Sequence, residues 1–455
     1  MSKLGNLKKI YQNNRLIHLP LYRITRSKSY YETMTFLHET ENWSKKKMDN
    51  WVLSQLRSIV DYAVKNDPYY RTIYGMIGLK SGKDIVTYSD FENLPTVSKS
   101  TIKEHFSDFI SEEFGLKYKE YCTSGTQLPF SFLLDRCYVG REQAYFDYYW
   151  KKMGGYSPAK DRCIVLRGGG KNDKHYEMNQ IYNYKIFDSD SSSDSSLLLY
   201  YDKEIRKFNS RFMQAYPSSL YGLAKNYLLS GLKAPSFDVI FLGSENVLDD
   251  QLQTIKKCFN PHRILYHYGH SEETLLGIKY ENDNGYGFFP QYGYCELLDN
   301  FGKTVSCHEF GELTGTTWSK IMPFIRYRTN DFAVRGDILD TQFPFNAFHV
   351  EKIEGRQQEF VIRSDSVRVS IVSICSEHMP VMSQIKEIQF EQFKAGELFL
   401  NCVFYDELNK SRISSQIIAA MEKKFEGKVK CHVKEVARVK KTNNGKTIML
   451  IQHVY

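Results

Sequence analysis

The sequence predicts an α/β protein of more than one domain: a large N-terminal domain of layered α/β sheets with a small antiparallel subdomain, then a small α+β C-terminal domain. Three observations carry this expectation. A chain of 455 residues is longer than one hydrophobic core fills, so two or three domains follow. After Cys163 the short apolar runs CIVLR, SLLLYY, FDVIFLG and HRILYHYG alternate with the helical stretches SSLYGLAKNYLLSGL and LDDQLQTIKKCF. That is the rhythm of strand and crossover helix around a largely parallel sheet. From about Pro290 shorter strands with turn residues take over, as in YGYCELLDNFGKTVSCHEFGELTGTTW, and read as antiparallel pairing.

In chain order, WVLSQLRSIVDYAVKND opens with an amphipathic packing helix. Val52, Leu56, Ile59, Val60 and Ala63 recur at helical spacing, and Asn66-Asp67-Pro68 stops the pattern. The aromatics from Tyr145 to Trp150 read first as packing. DSDSSSDSS, Asp188 to Ser196, is low in complexity and reads as a mobile surface loop. Past Arg356, EFVIRSDSVRVS, LFLNCVFY and the helix in SSQIIAAMEKKF form the smaller unit. The expected domains are therefore 1–356, with 290–350 as the antiparallel subdomain, and 357–455.

Composition narrows the function classes. With 42% hydrophobic and 15% aromatic residues the chain is globular. Its charge of +8 comes from 61 basic and 53 acidic residues. The basic ones gather at Lys45-Lys46-Lys47 and from Arg438 to Lys441, with no basic stripe interleaved with aromatics. This gives no case for nucleic acid and suits anionic small molecules or a membrane surface. The nine cysteines form no CxxC pair, which argues against structural zinc and for reduced thiols in a cytoplasmic setting. MSKLGNLKKIYQNN has no apolar run after its basic residues, and no stretch approaches a membrane span.

Chemistry first shows in YCTSGTQLPF. Thr123, Ser124, Gly125 and Thr126 could offer several N–H and O–H donors to one anion, although a tight surface turn uses the same residues. Gly243-Ser244-Glu245 and YGHSEE from Tyr268 fall at expected strand ends, where ligands of parallel sheets sit. Three familiar motifs fail. NGKT lacks the Walker glycine, because position 440 is Lys440. GHSEE has Glu273 in place of the second glycine of a nucleophile elbow. RGGGKND lacks dinucleotide spacing.

What remains is an ordered series: TSGT at 123, GSE at 243, YGHSE at 268, YRTND at 327, EGR at 354 and KTNNGK at 441. In this order and with these gaps the chain resembles, over nearly its whole length, the ANL superfamily of adenylate-forming enzymes. AVKNDPYYR and LPTVSKSTIKEHF resemble the phenylacetate-CoA ligase and deazaflavin-coenzyme synthetase branch, and YPSSLYGLA its capsular-polysaccharide members.

The resemblance implies ATP-dependent, AMP-forming activation of a carboxylic acid as an acyl-adenylate, with Mg²⁺. Transfer to a thiol, amine or sugar acceptor would follow, in surface polysaccharide biosynthesis; CoA is one such thiol. By the family pattern Thr123 to Thr126 form the loop over the β- and γ-phosphates, and Glu272 holds Mg²⁺. Tyr268 offers a flat face to adenine, and Asp331 accepts from the ribose hydroxyls. Gly243, Ser244, Glu245, Gly269, Ser271 and Arg356 complete the nucleotide site. Gln358 stands at the acidic hinge position, and Lys446 is the catalytic lysine, carried by a mobile small domain.

The chain departs from the pattern in three places. Gln127-Leu128 shorten the phosphate loop before Pro129, Asn330 replaces the glycine of YRTGD, and Gln358 replaces the acidic hinge residue. Asparagine tolerates left-handed geometry, so that change is mild. Two other readings stay open: an aryl-CoA ligase like phenylacetate-CoA ligase, and a non-catalytic nucleotide-binding relative. The acid, the acceptor and the oligomeric state are not legible.

Overall fold

The computed structural model describes residues 25–113, 115–122, 131–136, 138–168, 175–189, 192, 194–279, 285–337, 348–356, 359–376, 379–405, 409–441 and 447–454. Two compact units emerge, each from two stretches of chain: 1–160 with 265–353, and 161–264 with 354–455. The second unit takes up the chain again at Glu354. Among the described residues no helix is long and apolar enough to cross a membrane.

The first unit opens with the helices Lys28–Thr40, Lys45–Asn66 and Pro68–Met76. Local chemistry sets their ends. Ser27 and Ser44 accept the Tyr30 and Lys47 N–H groups at 3.1 and 3.3 Å. Asp67 ends the second helix and caps the third through the Tyr70 N–H at 3.1 Å, with Pro68 in the first helical position. Val52, Leu56, Ile59, Val60 and Ala63 are all buried, as their spacing predicts. Each large side chain so placed stabilises by roughly 1.5–3 kcal/mol.

The sheet of this unit runs in the order Gly293–Leu298, Phe310–Thr317, Tyr327–Arg335, Phe348–Arg356, Tyr286–Phe288, Leu276–Lys279, Arg263–Gly269. Tyr286–Phe288 pairs antiparallel with both Phe348–Arg356 and Leu276–Lys279, as do Phe310–Thr317 with both its neighbours and Arg263–Gly269 with Leu276–Lys279, in keeping with the antiparallel run expected after Pro290. Leu275, Phe288, Leu297, Leu313 and Val350 form its core. One charge is buried with them. Arg326, 2% exposed, pairs with Glu296, its Nη2 lying 2.9 Å from Oε1. The same guanidinium also donates to the carbonyls of Glu92, Leu94 and Gly302.

In the second unit the parallel strands run Tyr184–Phe187, Cys163–Leu166, Phe212–Ala215, Val239–Gly243, with Tyr176–Asn179 antiparallel at the outer edge. The helices Pro217–Ser230 and Asp249–Phe259 fall where expected. SLLLYY does not form a strand; it enters the helix Leu198–Phe208. Leu198, Tyr201, Ile205 and Phe208 make one buried stripe at helical spacing, while Leu199 is 73% exposed. A short apolar run alone does not separate the two periods. DSDSSSDSS is also less open than a surface loop: Ser189 and Ser192 are buried, and Asn226 Nδ2 donates to the Ser192 carbonyl at 3.3 Å.

Residues 354–455 add the hairpin Phe360–Ile362/Arg368–Ser370, a sheet in the order Lys430–Glu435, Glu397–Phe404, Ile385–Lys394, Leu450–Gln452, and the helix Lys410–Lys424. Leu248 shares their core. Lys225 ties the two stretches further. Its ammonium lies 4.7 Å from the ring centres of both Tyr221 and Tyr405 and donates to the Ile385 carbonyl. Burial pushes this lysine down to about 7, with Asp250 and Glu387 pulling the other way.

The Pro217–Ser230 helix has no side-chain cap from its own N-cap residue, Tyr216. Glu245 supplies one from the loop after Val239–Gly243, accepting the Ser218 N–H at 3.0 Å and the Ser218 hydroxyl at 3.1 Å. Glu245→Ala is expected to lose about 1 kcal/mol in urea unfolding, and Glu245→Gln, which keeps an acceptor, clearly less. Arg326→Met should cost more, about 3–5 kcal/mol, because it strands Glu296 without a counter-charge. A loss under about 1 kcal/mol for Arg326→Met would show that the pair contributes little.

Candidate active site

Two local features gather the candidate residues of the first unit. The first is the turn from His270 to Thr274, between the strands Arg263–Gly269 and Leu276–Lys279. The Glu273 N–H donates to the His270 carbonyl at 3.1 Å, and Thr274 Oγ1 lies 3.0 Å from His270 Nε2. Gly293 lets the turn approach its neighbour; a Cβ there would meet the Thr274 carbonyl oxygen at 2.0 Å. The turn leaves Gly269 and Ser271 exposed and Glu272 buried.

The second feature is a bulge in Tyr327–Arg335. The register runs through Thr314↔Arg328 and Glu312↔Phe332, so Leu313 alone faces Thr329, Asn330 and Asp331. Asn330 has a φ of 63°, the left-handed geometry expected of it. Three donors of the bulge find acceptors nearby. Thr329 Oγ1 donates to the Leu313 carbonyl at 2.7 Å, the Asn330 N–H to Glu312 Oε1 at 2.8 Å, and the Asp331 N–H to Thr329 Oγ1 at 3.1 Å. A bulge re-aims the side chain beside it. Here Asp331, 7% exposed, accepts the Tyr268 hydroxyl at 2.7 Å, so two residues singled out for one nucleoside meet in space.

Glu272 sits among donors. The Tyr327 hydroxyl donates to Oε1 at 2.8 Å, Lys99 Nζ is 3.2 Å from Oε1, and His270 Nδ1 is 3.3 Å from Oε2. Lys99 is brought there by its backbone: the Val97 N–H donates to the Arg326 carbonyl at 3.1 Å and the Arg328 N–H to the Val97 carbonyl at 2.9 Å. Burial disfavours the charge on Glu272, but His270, Lys99 and the Tyr327 hydroxyl outweigh it and hold the carboxyl well below the usual range. A permanently ionised carboxylate is a suitable ligand for a hard cation. Among the described residues no group of three or more His, Cys, Asp or Glu could hold a metal. Among the described residues Glu272 is the carboxylate that would hold a Mg²⁺ and offer it a charged oxygen ligand.

Gly243, Ser244, Glu245 and Arg356 belong to the second unit. Ser244 is exposed and has a φ of 67° just past the strand end, a strained backbone of the kind that clusters at functional turns. Glu245 is engaged in the helix cap. Arg356, exposed, ends the strand Phe348–Arg356, its N–H donating to Glu359 Oε2 at 2.9 Å. Thr123, Ser124, Gly125, Thr126, Gln358 and Lys446 lie outside the described residues.

Sequence reasoning missed Lys99, His270 and Tyr327. Their signal was within reach, because each lies inside a stretch already singled out: LPTVSKSTIKEHF, YGHSE and YRTND.

No protein-family model matches the chain. It is 23% identical over 435 residues to Protein CapK of Staphylococcus aureus, covering 94% of this chain and 93% of that protein. Among solved structures, 2-hydroxyisobutyryl-CoA ligase in its postadenylation state, in complex with R3-HIB-AMP, is similar with a TM-score of 0.67 and 14% identity over 91% of each chain. The anthranilate CoA ligase AuaEII in complex with anthranoyl-AMP is similar with a TM-score of 0.51 and 14% identity, over 73% of this chain and 64% of that one. The chain therefore has the fold of the adenylate-forming ligases of the ANL superfamily.

Proposed function

We propose that the protein is an AMP-forming ligase that uses ATP to activate a carboxylic acid as an acyl-adenylate and then passes the acyl group to an acceptor. One observation carries this reading: the bulge at Asn330 joins Asp331 to Tyr268 on the same unit as the ionised Glu272, within a ligase fold. Asp331 has the acceptor oxygens a ribose diol needs, and the Tyr268 ring is the flat surface an adenine stacks on. Ser244 and its neighbours, Thr123 to Thr126 and Arg356 serve the rest of the nucleotide in this reading.

Adenylation brings a carboxylate onto a phosphate, so like charges must be neutralised and held in line. A bound Mg²⁺ supplies part of that neutralisation at the phosphates. From the chain, Glu272 presents a charged oxygen ligand, and Lys99, His270 and Tyr327 keep it ionised. Lys446, on a small domain from residue 357 hinged at Gln358, brings a compact positive charge to the phosphate and carboxylate oxygens. The acceptor is a thiol, amine or sugar; 2-hydroxyisobutyryl-CoA ligase was solved with CoA in its thioesterification state, which favours the thiol. The capsular members in the sequence resemblance favour surface polysaccharide biosynthesis in the cytoplasm. A non-catalytic nucleotide-binding role has one observation behind it, the phosphate loop shortened at Gln127-Leu128. Pyrophosphate release from ATP, Mg²⁺ and a panel of carboxylic acids tests the reading, and ATP binding without release for any acid favours the non-catalytic role.

Asp331→Ala should weaken ATP binding with little change in melting temperature; an unchanged nucleotide titration would remove Asp331 from the site. Glu272→Gln should still bind ATP while turnover at ordinary Mg²⁺ falls, since the shape stays and the charge goes. Lys446→Ala should slow adenylation at least about a hundredfold, yet spare transfer from a supplied acyl-adenylate. Equal loss in both half-reactions would contradict a rotating small domain.

A further inference from the structure

The chain has four tryptophans, and three of them meet at one place on the surface of the first unit. Trp150 is buried, while Trp43, Trp51 and Trp318 are each partly exposed. Phe36 links the first two, its ring centre 6.1 Å from that of Trp43 and 5.2 Å from that of Trp51, and Trp51 meets Trp318 at 6.1 Å. The rings come from the helix Lys28–Thr40, the turn after it, the helix Lys45–Asn66 and the segment beyond the strand Phe310–Thr317. Gln291 pins the last of these: its amide donates to Thr40 Oγ1 at 2.9 Å, and its backbone carbonyl accepts the Trp318 indole N–H at 3.1 Å. A row of partly exposed indoles held in this way is an amphipathic surface, apolar in body and polar at the tip.

Positive charge stands directly beside it. Lys45, Lys46 and Lys47 are exposed, and the Lys47 ammonium lies 4.2 Å from the centre of the Trp43 ring. Trp51 follows Lys47 by four residues on the same helix, hence on the same face. The three lysines open a helix whose first turn contains no acid, although the helix dipole disfavours cations there. Two acids alongside are already neutralised, Asp49 by Lys45 at 2.7 Å and Glu41 by Lys152. Among the described residues no acid pairs with Lys46 or Lys47. The sequence ahead carries the same sign: from Met1 to Tyr31 it has seven Lys or Arg and neither Asp nor Glu.

We propose that this face docks the protein on an anionic lipid bilayer, with the three lysines at the headgroups and the indoles at the boundary with the acyl chains. Neither element suffices alone. Surface lysines are screened by salt and partly exposed rings bury little apolar area, so peripheral binding needs both together. Tryptophan gathers at membrane interfaces because its ring suits the apolar side and its N–H the wet side. A lysine keeps its ammonium at the phosphates while its stem lies along the rings. A second copy of the chain, meeting this face with its own, would bring lysines against lysines. An anionic bilayer complements them instead. The contact is peripheral: among the described residues no helix is long and apolar enough to span a bilayer.

The test is co-sedimentation of the full-length protein with vesicles of phosphatidylcholine alone and of equimolar phosphatidylcholine and phosphatidylglycerol. Binding is expected to the mixed vesicles only, and it should fall as salt is raised. Lys46→Gln combined with Lys47→Gln should weaken it about 25-fold, at roughly fivefold per lysine beside an anionic surface. Both side chains are exposed, so the melting temperature of this double variant should change little. In the bound state, acyl chains brominated near the headgroup should quench the protein's fluorescence, and Trp43→Phe should reduce that quenching. Equal binding to both vesicle types, binding to neither, or binding indifferent to the two lysines overturns the proposal. So does self-association in place of vesicle binding, strengthened in the double variant, which would assign the face to a second copy.

Discussion

Glu272 holds a negative charge where water is almost excluded, and the local order of the first unit is what makes that state affordable. The desolvation of a carboxylate costs several kcal/mol unless nearby donors offset it. Lys99, His270 and Tyr327 do so from three separate segments. None of the three can be misplaced by much. Val97 bonds both neighbours of Tyr327, which ties the Lys99 side chain to the strand that supplies the hydroxyl. The turn after Gly269 supplies the imidazole. Sheet register, turn and ion cluster therefore stand or fall together, which is how a polar network specifies one arrangement.

The bulge at Thr329–Asp331 works by the same logic with backbone groups. Three residues opposite one would leave unpaired N–H groups, yet Glu312 and Thr329 accept those of Asn330 and Asp331, and the Thr329 hydroxyl donates in turn to the Leu313 carbonyl. The result is a carboxylate delivered to Tyr268 rather than to a ladder position. A glycine at 330 would reach the left-handed region more freely; asparagine reaches it with a small cost and keeps a polar side chain.

These features were unequally legible in the sequence. Period and punctuation revealed the helix around Val52, its stop at Asp67-Pro68, the strands at Cys163 and Val239, and the antiparallel run after Pro290. The same reasoning failed at SLLLYY, where only the continuation to Ile205 and Phe208 reveals a helical stripe. In the site, motif order pointed to Tyr268, Glu272 and Asp331, and foresaw the left-handed Asn330. It did not reveal Lys99 or His270 as partners of Glu272. The partnership of Lys99 with Glu272 is decided by register across a long stretch of chain, and that of His270 by the geometry of a tight turn, neither of which one dimension carries. Glu245 shows the converse: a residue chosen for its place in GSE has its carboxylate engaged at the start of Pro217–Ser230.

Three of the buried glutamates in the first unit differ in how they are closed. Glu296 is closed by Arg326, whose remaining donors find carbonyls, so the pair asks nothing of a ligand. Glu272 is closed by three donors, a phenol, an imidazole and a lysine, from separate segments. Among the described residues Glu273 Oε2 has no hydrogen-bond partner. Such a gradation is hard to explain by packing, because an apolar side chain at 273 would cost the fold less than an orphan carboxyl oxygen. Ser244 shows a related asymmetry in the other unit, a left-handed residue at a strand end where glycine would relieve the strain. Local cost of this kind, at a strand end and in a tight turn, is what a packed sheet core alone does not require.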